Sequence, residues 1–208
     1  MGAVIFDCDG VVVDSEPASV RAWSRAIERA GRSATAEEIA VFVGHTDQAI
    51  AEHFGRLVGV APAELEEAAN QELRALIGAR GIRPFPDTVA LLDTLAATGV
   101  PVAVASNSRR WRLDLMLSGA GVGERFAVSV AADEVVLPKP APDVYLKAAG
   151  LLALDADLTL VVEDTPTGVA AGKAAGFRVV AIDRGVFGDG LAGADVVVPD
   201  LAAGLGGW

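Results

Sequence analysis

The sequence predicts an α/β protein: a parallel sheet with helices on both faces, interrupted near its start by a helical insertion. Three observations carry this. Short runs that are apolar at nearly every position recur at Ala3–Phe6 and at about 100–105, 126–131, 158–162 and 179–182, with a weaker one at 195–198. Such runs suit strands buried on both faces. From residue 84 onward these runs alternate with helical patterns, which implies right-handed crossovers between parallel strands. Between residues 15 and 83, by contrast, only helical periodicity appears. The composition agrees, since 52% of residues are hydrophobic but only 5% are aromatic. Small aliphatic side chains then fill the core, as helices packed on a sheet require.

The first strand, Ala3–Phe6, stops at Asp7-Cys8-Asp9-Gly10. Residues two apart on an extended chain point the same way, so Asp7 and Asp9 project together, and Gly10 permits a tight turn. Two carboxylates that close repel unless a cation or a shared proton relieves them. A first helix then runs from Ser15 or Asp14 as cap, with Val20, Trp23, Ala26, Ile27 and Ala30 at helical spacing and Gly31 as its stop. Three more helices are expected at about 36–43, 46–58 and 62–79. After Pro84-Phe85-Pro86 come helices at about 87–98, 109–119, 142–150 and 169–176, separating the remaining strands.

Polar clusters end three of the apolar strands: Asp7-x-Asp9, Ser106-Asn107 and Glu163-Asp164. Ligands of open parallel sheets bind beyond the carboxyl ends of the strands, where strand order reverses, so the three clusters can converge. Lys139, set between Pro138 and Pro140, is a further candidate because the flanking rings restrict its backbone. Several carboxylates and a backbone carbonyl make a hard oxygen site suited to Mg²⁺. Lysine with hydroxyl and amide donors suits a transferring phosphoryl group. One carboxylate can attack phosphorus, and a second can serve as general acid and base.

These residues carry a resemblance. Asp7-Cys8-Asp9-Gly10-Val11-Val12-Val13-Asp14-Ser15-Glu16 resembles the first motif of the haloacid dehalogenase superfamily of phosphotransferases. Ala105-Ser106-Asn107 resembles its second, and Lys139-Pro140 with Pro142-Asp143 its third. The stretch from Val162-Glu163-Asp164-Thr165 to Gly172 resembles its fourth. The resemblance implies a Rossmann-like three-layer α/β/α core at 1–14 and 84–208. The block at 15–83 is similar to the four-helix cap of the branch holding phosphoglycolate phosphatases, sugar phosphatases and β-phosphoglucomutase. It further implies that Asp7 is the nucleophile and a Mg²⁺ ligand, and that Asp9 is the general acid/base with its carbonyl on the metal. Ser106 and the Asn107 backbone would hold phosphoryl oxygens, and Lys139 would neutralise charge between them and Asp7. Asp164 would ligate Mg²⁺, and Glu163 would ligate it or orient its water. The second Asp of the first motif separates this chain from true dehalogenases, which lack it.

The implied activity is a Mg²⁺-dependent phosphatase acting on a small phosphorylated metabolite, a sugar or polyol phosphate, through an aspartyl phosphate. The alternative is a mutase of the β-phosphoglucomutase kind. The mutase resemblance expects a His near position 19, where Ser19 stands, and an Arg shortly after Gly44, where Asp47 stands and would repel a second phosphate. Asn107 also looks more like the phosphatases. In the cap, His45 follows Gly44 in the loop expected to reach substrate, and Trp23 either packs in the cap or lines a substrate pocket. Thr165 and Thr167 read as helix caps, His53 as a structural or surface residue, and Arg80 and Arg83 as solvent-exposed.

The remaining expectations come from bulk properties. A net charge of −11 argues against nucleic-acid or anionic-membrane surfaces. One cysteine excludes an internal disulfide and fits a reducing cytoplasm. Apolar runs are too short to span a bilayer, and the N-terminus enters a strand at once without a signal sequence. A cytoplasmic monomer or small homo-oligomer is expected.

Overall fold

The computed structural model describes residues 2–42, 46–153 and 158–202. They divide into two compact units, Met1–Asp14 with Arg83–Trp208, and Ser15–Ile82.

The larger unit is built on a parallel sheet of β1 (Ala3–Phe6), β2 (Val102–Ala105), β3 (Val128–Val130), β4 (Thr159–Glu163), β5 (Arg178–Ile182) and β6 (Val196–Val198). Their order is β3-β2-β1-β4-β5-β6. From β1 the chain winds outward through β2 and β3, then returns to lay β4, β5 and β6 on the other side. The order therefore reverses between β1 and β4, which pair Phe6 with Val162. Every residue of β1, β2 and β4 is buried, which is why these segments carry apolar residues on both faces. On one face Ile5, Ala103, Ala105, Val161 and Val179 pack with α7 (Asp143–Leu152) and α8 (Pro166–Ala174). Helices α5 (Pro86–Ala97) and α6 (Arg110–Gly119) bury Leu91, Leu92 and Leu95, and Leu113, Met116 and Leu117.

Three of the boundaries that differ from the sequence reading bear on the sheet and its carboxyl edge. The third strand keeps only Val128–Val130, because it is an edge paired with β2 alone, and a 3₁₀ turn at Gly123–Arg125 takes the chain up to Phe126. The fourth strand starts at Thr159 and includes Glu163, so that carboxylate rides on the sheet. Helix α8 starts at Pro166 rather than Val169, since Thr165 caps it by accepting the Gly168 N–H at 3.0 Å. Thr167 is an exposed helical residue and not a cap.

The smaller unit consists of α1 (Glu16–Arg29), α2 (Ala36–Ala40), α3 (Asp47–Val58) and α4 (Pro62–Arg80). Trp23, Ala26 and Ile27, at i, i+3 and i+4, pack with Ile39, Ile50, Phe54, Leu65 and Ala69. Ser15 stands at the N-cap of α1 without a side-chain capping bond, whereas Thr35 and Glu38 form a reciprocal capping box at α2. The acid of α4, Glu72, is buried and is neutralised by Arg29 and by Arg25 at 3.5 Å, both on α1.

Candidate active site

Parallel register sets the site. Because β1 lies between β2 and β4, the first residues past each strand end emerge side by side. The Asp7 N–H donates to Val162 O at 2.9 Å, and the Ser106 N–H to Val130 O at 3.0 Å, extending the ladder by one step each. Asp7, Ser106 and Asp164 thus leave the sheet at one edge, and the Lys139 side chain comes to the same place.

Lys139 is 6% exposed and its ammonium is fully engaged. Nζ lies 2.5 Å from Asp7 Oδ1, 2.7 Å from Glu163 Oε1 and 2.9 Å from the Ala105 carbonyl, and sits 4.5 Å from the Tyr145 ring centroid. Its backbone is gripped as firmly. Asn107 Oδ1 accepts the Lys139 N–H at 2.8 Å, while Asn107 Nδ2 donates to Lys139 O at 3.1 Å. The Lys139–Pro140 peptide is cis. The lysine is therefore aimed by the Asn107 amide as well as by its flanking prolines.

Glu163 is wholly buried, and both its oxygens are occupied. Oε1 accepts from Lys139 and from the Tyr145 hydroxyl, each at 2.7 Å. Oε2 accepts from the N–H groups of Asp164 and Thr165 and from the Thr165 hydroxyl, at 2.9, 3.0 and 3.0 Å. Helix α8 approaches so closely that a Cβ on Gly168 would lie 1.6 Å from Oε1. Gly10 plays the matching part on the other side: its φ is +84°, and a Cβ there would lie 1.9 Å from Asp164 Oδ2. Asp9 Oδ2 accepts from the Ser108 hydroxyl at 2.9 Å, and the Ser108 N–H donates to Ser106 Oγ at 3.0 Å.

Three carboxylates here face one ammonium. Burial pushes the Asp7 carboxyl up to about 8, with Lys139 opposing and Glu163 adding to the rise. Burial, with Glu163 and Asp7 nearby, also raises Asp164 well above its ordinary value. Burial works against the charge on Glu163 too, but Lys139 and the hydrogen bonds hold it below the usual range. Lys139 stays charged despite its burial because Asp7 and Glu163 flank it. An oxygen from each of Asp7, Glu163 and Asp164 lies within 4.8 Å of the others. Among the described residues, the buried atoms Asp9 Oδ1 and Asp164 Oδ1 have no hydrogen-bond partner. Excess negative charge, hard oxygen donors and unsatisfied buried lone pairs fit a divalent cation such as Mg²⁺.

The structure brings Asp7, Lys139, Glu163 and Asp164 into direct contact or near it, with Ser106, Asn107 and Asp9 on adjoining turns. Trp23 does not join them: it is 3% exposed in the core of the helical unit, where its indole N–H donates to Asp47 Oδ1 at 3.3 Å. His45 lies outside the described residues. His53 is exposed, lying tilted against Phe42 and edge-on to Phe54, and Arg80 and Arg83 are exposed. Sequence reasoning missed Tyr145, Ser108 and the side-chain role of Asn107. A tyrosine on the buried face of α7 was the available signal, because a buried hydroxyl needs a partner.

The model of the family described as haloacid dehalogenase-like hydrolase matches residues 4–182. Among curated proteins, hexitol phosphatase A of Escherichia coli (strain K12) is 35% identical, the match covering 95% of this chain and 90% of that protein. Protein CbbY of Rhodobacter capsulatus is 31% identical, covering 97% and 94%. Among solved structures, β-phosphoglucomutase from Clostridium difficile superposes with a TM-score of 0.77 at 20% identity, covering 98% and 92%, a likeness of fold. With the parallel sheet, the strand-end residues and these matches together, the chain belongs to the haloacid dehalogenase-like hydrolases.

Proposed function

We propose that this protein is a Mg²⁺-dependent phosphatase that hydrolyses a small phosphorylated metabolite, a sugar or polyol phosphate, through an aspartyl phosphate. The observation that carries the proposal is the buried contact of Lys139 Nζ with both Asp7 and Glu163, beside Asp164. It sets a nucleophilic carboxylate against a fixed positive charge, in a place that water reaches poorly. Hexitol phosphatase A, a phosphatase by name, supports the reaction class.

Asp7, Asp164 and the Asp9 carbonyl would hold Mg²⁺, which supplies neutralising charge to the phosphoryl oxygens when bound. Glu163, its lone pairs taken by five donors, acts by fixing Lys139 and the β4–α8 turn. In the first step an Asp7 oxygen forms a bond to phosphorus as the bond from phosphorus to the leaving oxygen breaks. Asp9 gives its proton to that oxygen, releasing the alcohol. In the second step Asp9 takes a proton from water, whose oxygen attacks the same phosphorus, freeing inorganic phosphate and restoring Asp7. The Ser106 hydroxyl and the Asn107 backbone N–H hold the phosphoryl oxygens, and the Lys139 ammonium balances their charge throughout. The unit at 15–82 serves as the cap that sets the leaving group.

A screen of phosphorylated metabolites with Mg²⁺, following phosphate release, tests this reading. It should include hexitol phosphates, and β-glucose 1-phosphate with a bisphosphate activator. Phosphate release from one metabolite class is expected. Conversion of β-glucose 1-phosphate to glucose 6-phosphate, with little free phosphate, would replace the phosphatase by a mutase.

A further inference from the structure

Arg184 lies two residues past the end of β5, on the same edge of the sheet as Asp7, Ser106 and Asp164. It has no part in the chemistry above, yet its guanidinium is more committed than that of an ordinary loop arginine. Nε donates to the Gly10 carbonyl at 3.1 Å. The two terminal nitrogens bind Asp87 as a fork, at 3.0 and 3.1 Å. The guanidinium carbon lies 3.8 Å from the Phe85 ring centroid. The side chains of Arg184 and Asp87 are 20% and 10% exposed. Asp87 also accepts the Leu201 N–H at 3.1 Å, so the anchor reaches the C-terminal segment.

The partners share a location. Gly10 makes the turn directly after Asp9 and presses against Asp164, with no room for a side chain between them. The turn is otherwise closed on itself, by Gly10 N–H to Val13 O at 2.9 Å and by Val12 N–H to Cys8 O at 2.8 Å. Phe85 opens the segment that returns from residues 15–82, and its N–H donates to Val12 O at 3.0 Å. Val13 and Pro84 form an antiparallel bridge beside it. Arg184 therefore binds the outgoing and the returning strands of this crossing at once, and joins them to the end of β5. A planar guanidinium can accept a ring on its face while directing N–H groups outward in its own plane, which a lysine cannot do.

We propose that Arg184 is a positioning residue for phosphoryl transfer: its hydrogen bond to Gly10 and its stack on Phe85 hold the Asp9–Gly10 turn against Asp164. The carbonyl of Asp9 then stays aimed at the metal site and its carboxylate at the phosphoryl group. The inference rests on the phosphatase reading above. The Asp87 salt bridge anchors Arg184 to α5 and contributes to stability, whereas the Gly10 contact serves the site.

Arg184→Met, Arg184→Lys and Asp87→Asn separate the two. With p-nitrophenyl phosphate and saturating Mg²⁺, Arg184→Met should lose about 10- to 100-fold in kcat while KM stays within about threefold, since the phosphate-binding groups are untouched. Arg184→Lys should not restore kcat. Asp87→Asn should lower Tm as much as Arg184→Met but keep kcat within about threefold, because Gly10 and Phe85 still hold the guanidinium. Calorimetric titration with Mg²⁺ alone should show weaker binding, by up to about tenfold, for Arg184→Met and not for Asp87→Asn. Losses of kcat that follow Tm equally in both variants would reduce Arg184 to a structural staple and overturn the proposal. If the unaltered protein hydrolyses no phosphoester, the phosphatase reading falls. The Mg²⁺ isotherms then decide on Arg184 alone, equal affinity in Arg184→Met and the unaltered protein overturning it.

Discussion

Asp7→Asn should abolish turnover and at the same time make the metal-free protein more stable. Burial of the Asp7 carboxylate, with Glu163 and Asp9 nearby and Lys139 only partly compensating, raises its proton affinity to about 8 against an ordinary 3.8. Between those values the folded state binds the Asp7 proton and the unfolded state does not. Stability is therefore fully present below about pH 4 and is lost as pH rises towards 8. At about 1.4 kcal/mol per pH unit, the loss at pH 7 is about 4 kcal/mol. Asparagine mimics the neutral acid and removes this term, while Lys139 keeps Glu163 and the Ala105 carbonyl as partners. In EDTA the variant should melt above the parent at pH 7 to 8, by on the order of 10 °C. The gap should close towards pH 4 to 5. Differential scanning calorimetry over that pH range measures it. A variant that melts below its parent at pH 8 in EDTA would refute the argument that burying the Asp7 carboxyl, with its raised proton affinity, costs stability.

Mg²⁺ at about 100 times its Kd should raise stability by about 2.7 kcal/mol in the parent protein, and Asp164→Asn should lose most of that gain in thermal melts. Tyr145→Phe removes the hydroxyl bond to Glu163 at 2.7 Å without changing the packed ring, and should cost about 1.5–3 kcal/mol in urea unfolding. An unchanged midpoint would mean that Glu163 is adequately held by its other donors. Asn107→Ala releases both backbone bonds to Lys139 while leaving the backbone N–H at 107 in place. Its kcat should fall about tenfold or more with a smaller change in KM, as measured by steady-state phosphate release.

The architecture could be read from the chain because strands buried on both faces cannot hide: Val102–Ala105 and Thr159–Val162 have almost no polar residue to spend. Where burial is one-sided the reading slipped, as at the edge strand Val128–Val130. Polar residues just past a buried strand stand out for the same reason, so Asp7, Ser106 and Asp164 were visible as a set before any geometry. Their supports were not. Tyr145 sits at a helix position where any large apolar side chain would satisfy the pattern. Arg184 looks like a solvated loop cation until Asp87, 97 positions earlier in the chain, is found beside it. The grip of the Asn107 side chain on the Lys139 backbone has no one-dimensional signature at all.

The central position of β1 also has a bearing on how the chain is made. Ala3 must find Thr159 and Val4 must find Val102, so the strand translated first has no neighbour until about 100 residues later, and no second one for about 50 more. At about 5–20 residues per second, it waits several seconds on the ribosome. The helices at 15–82 pack a core of their own, and all of its residues are translated long before then. The strand that leads into Asp7 is thus an early product and a late arrival, closed into the sheet by a long-range step of the kind that limits folding rate. Any chain cut short before residue 159 would expose that apolar strand along the side where β4 belongs.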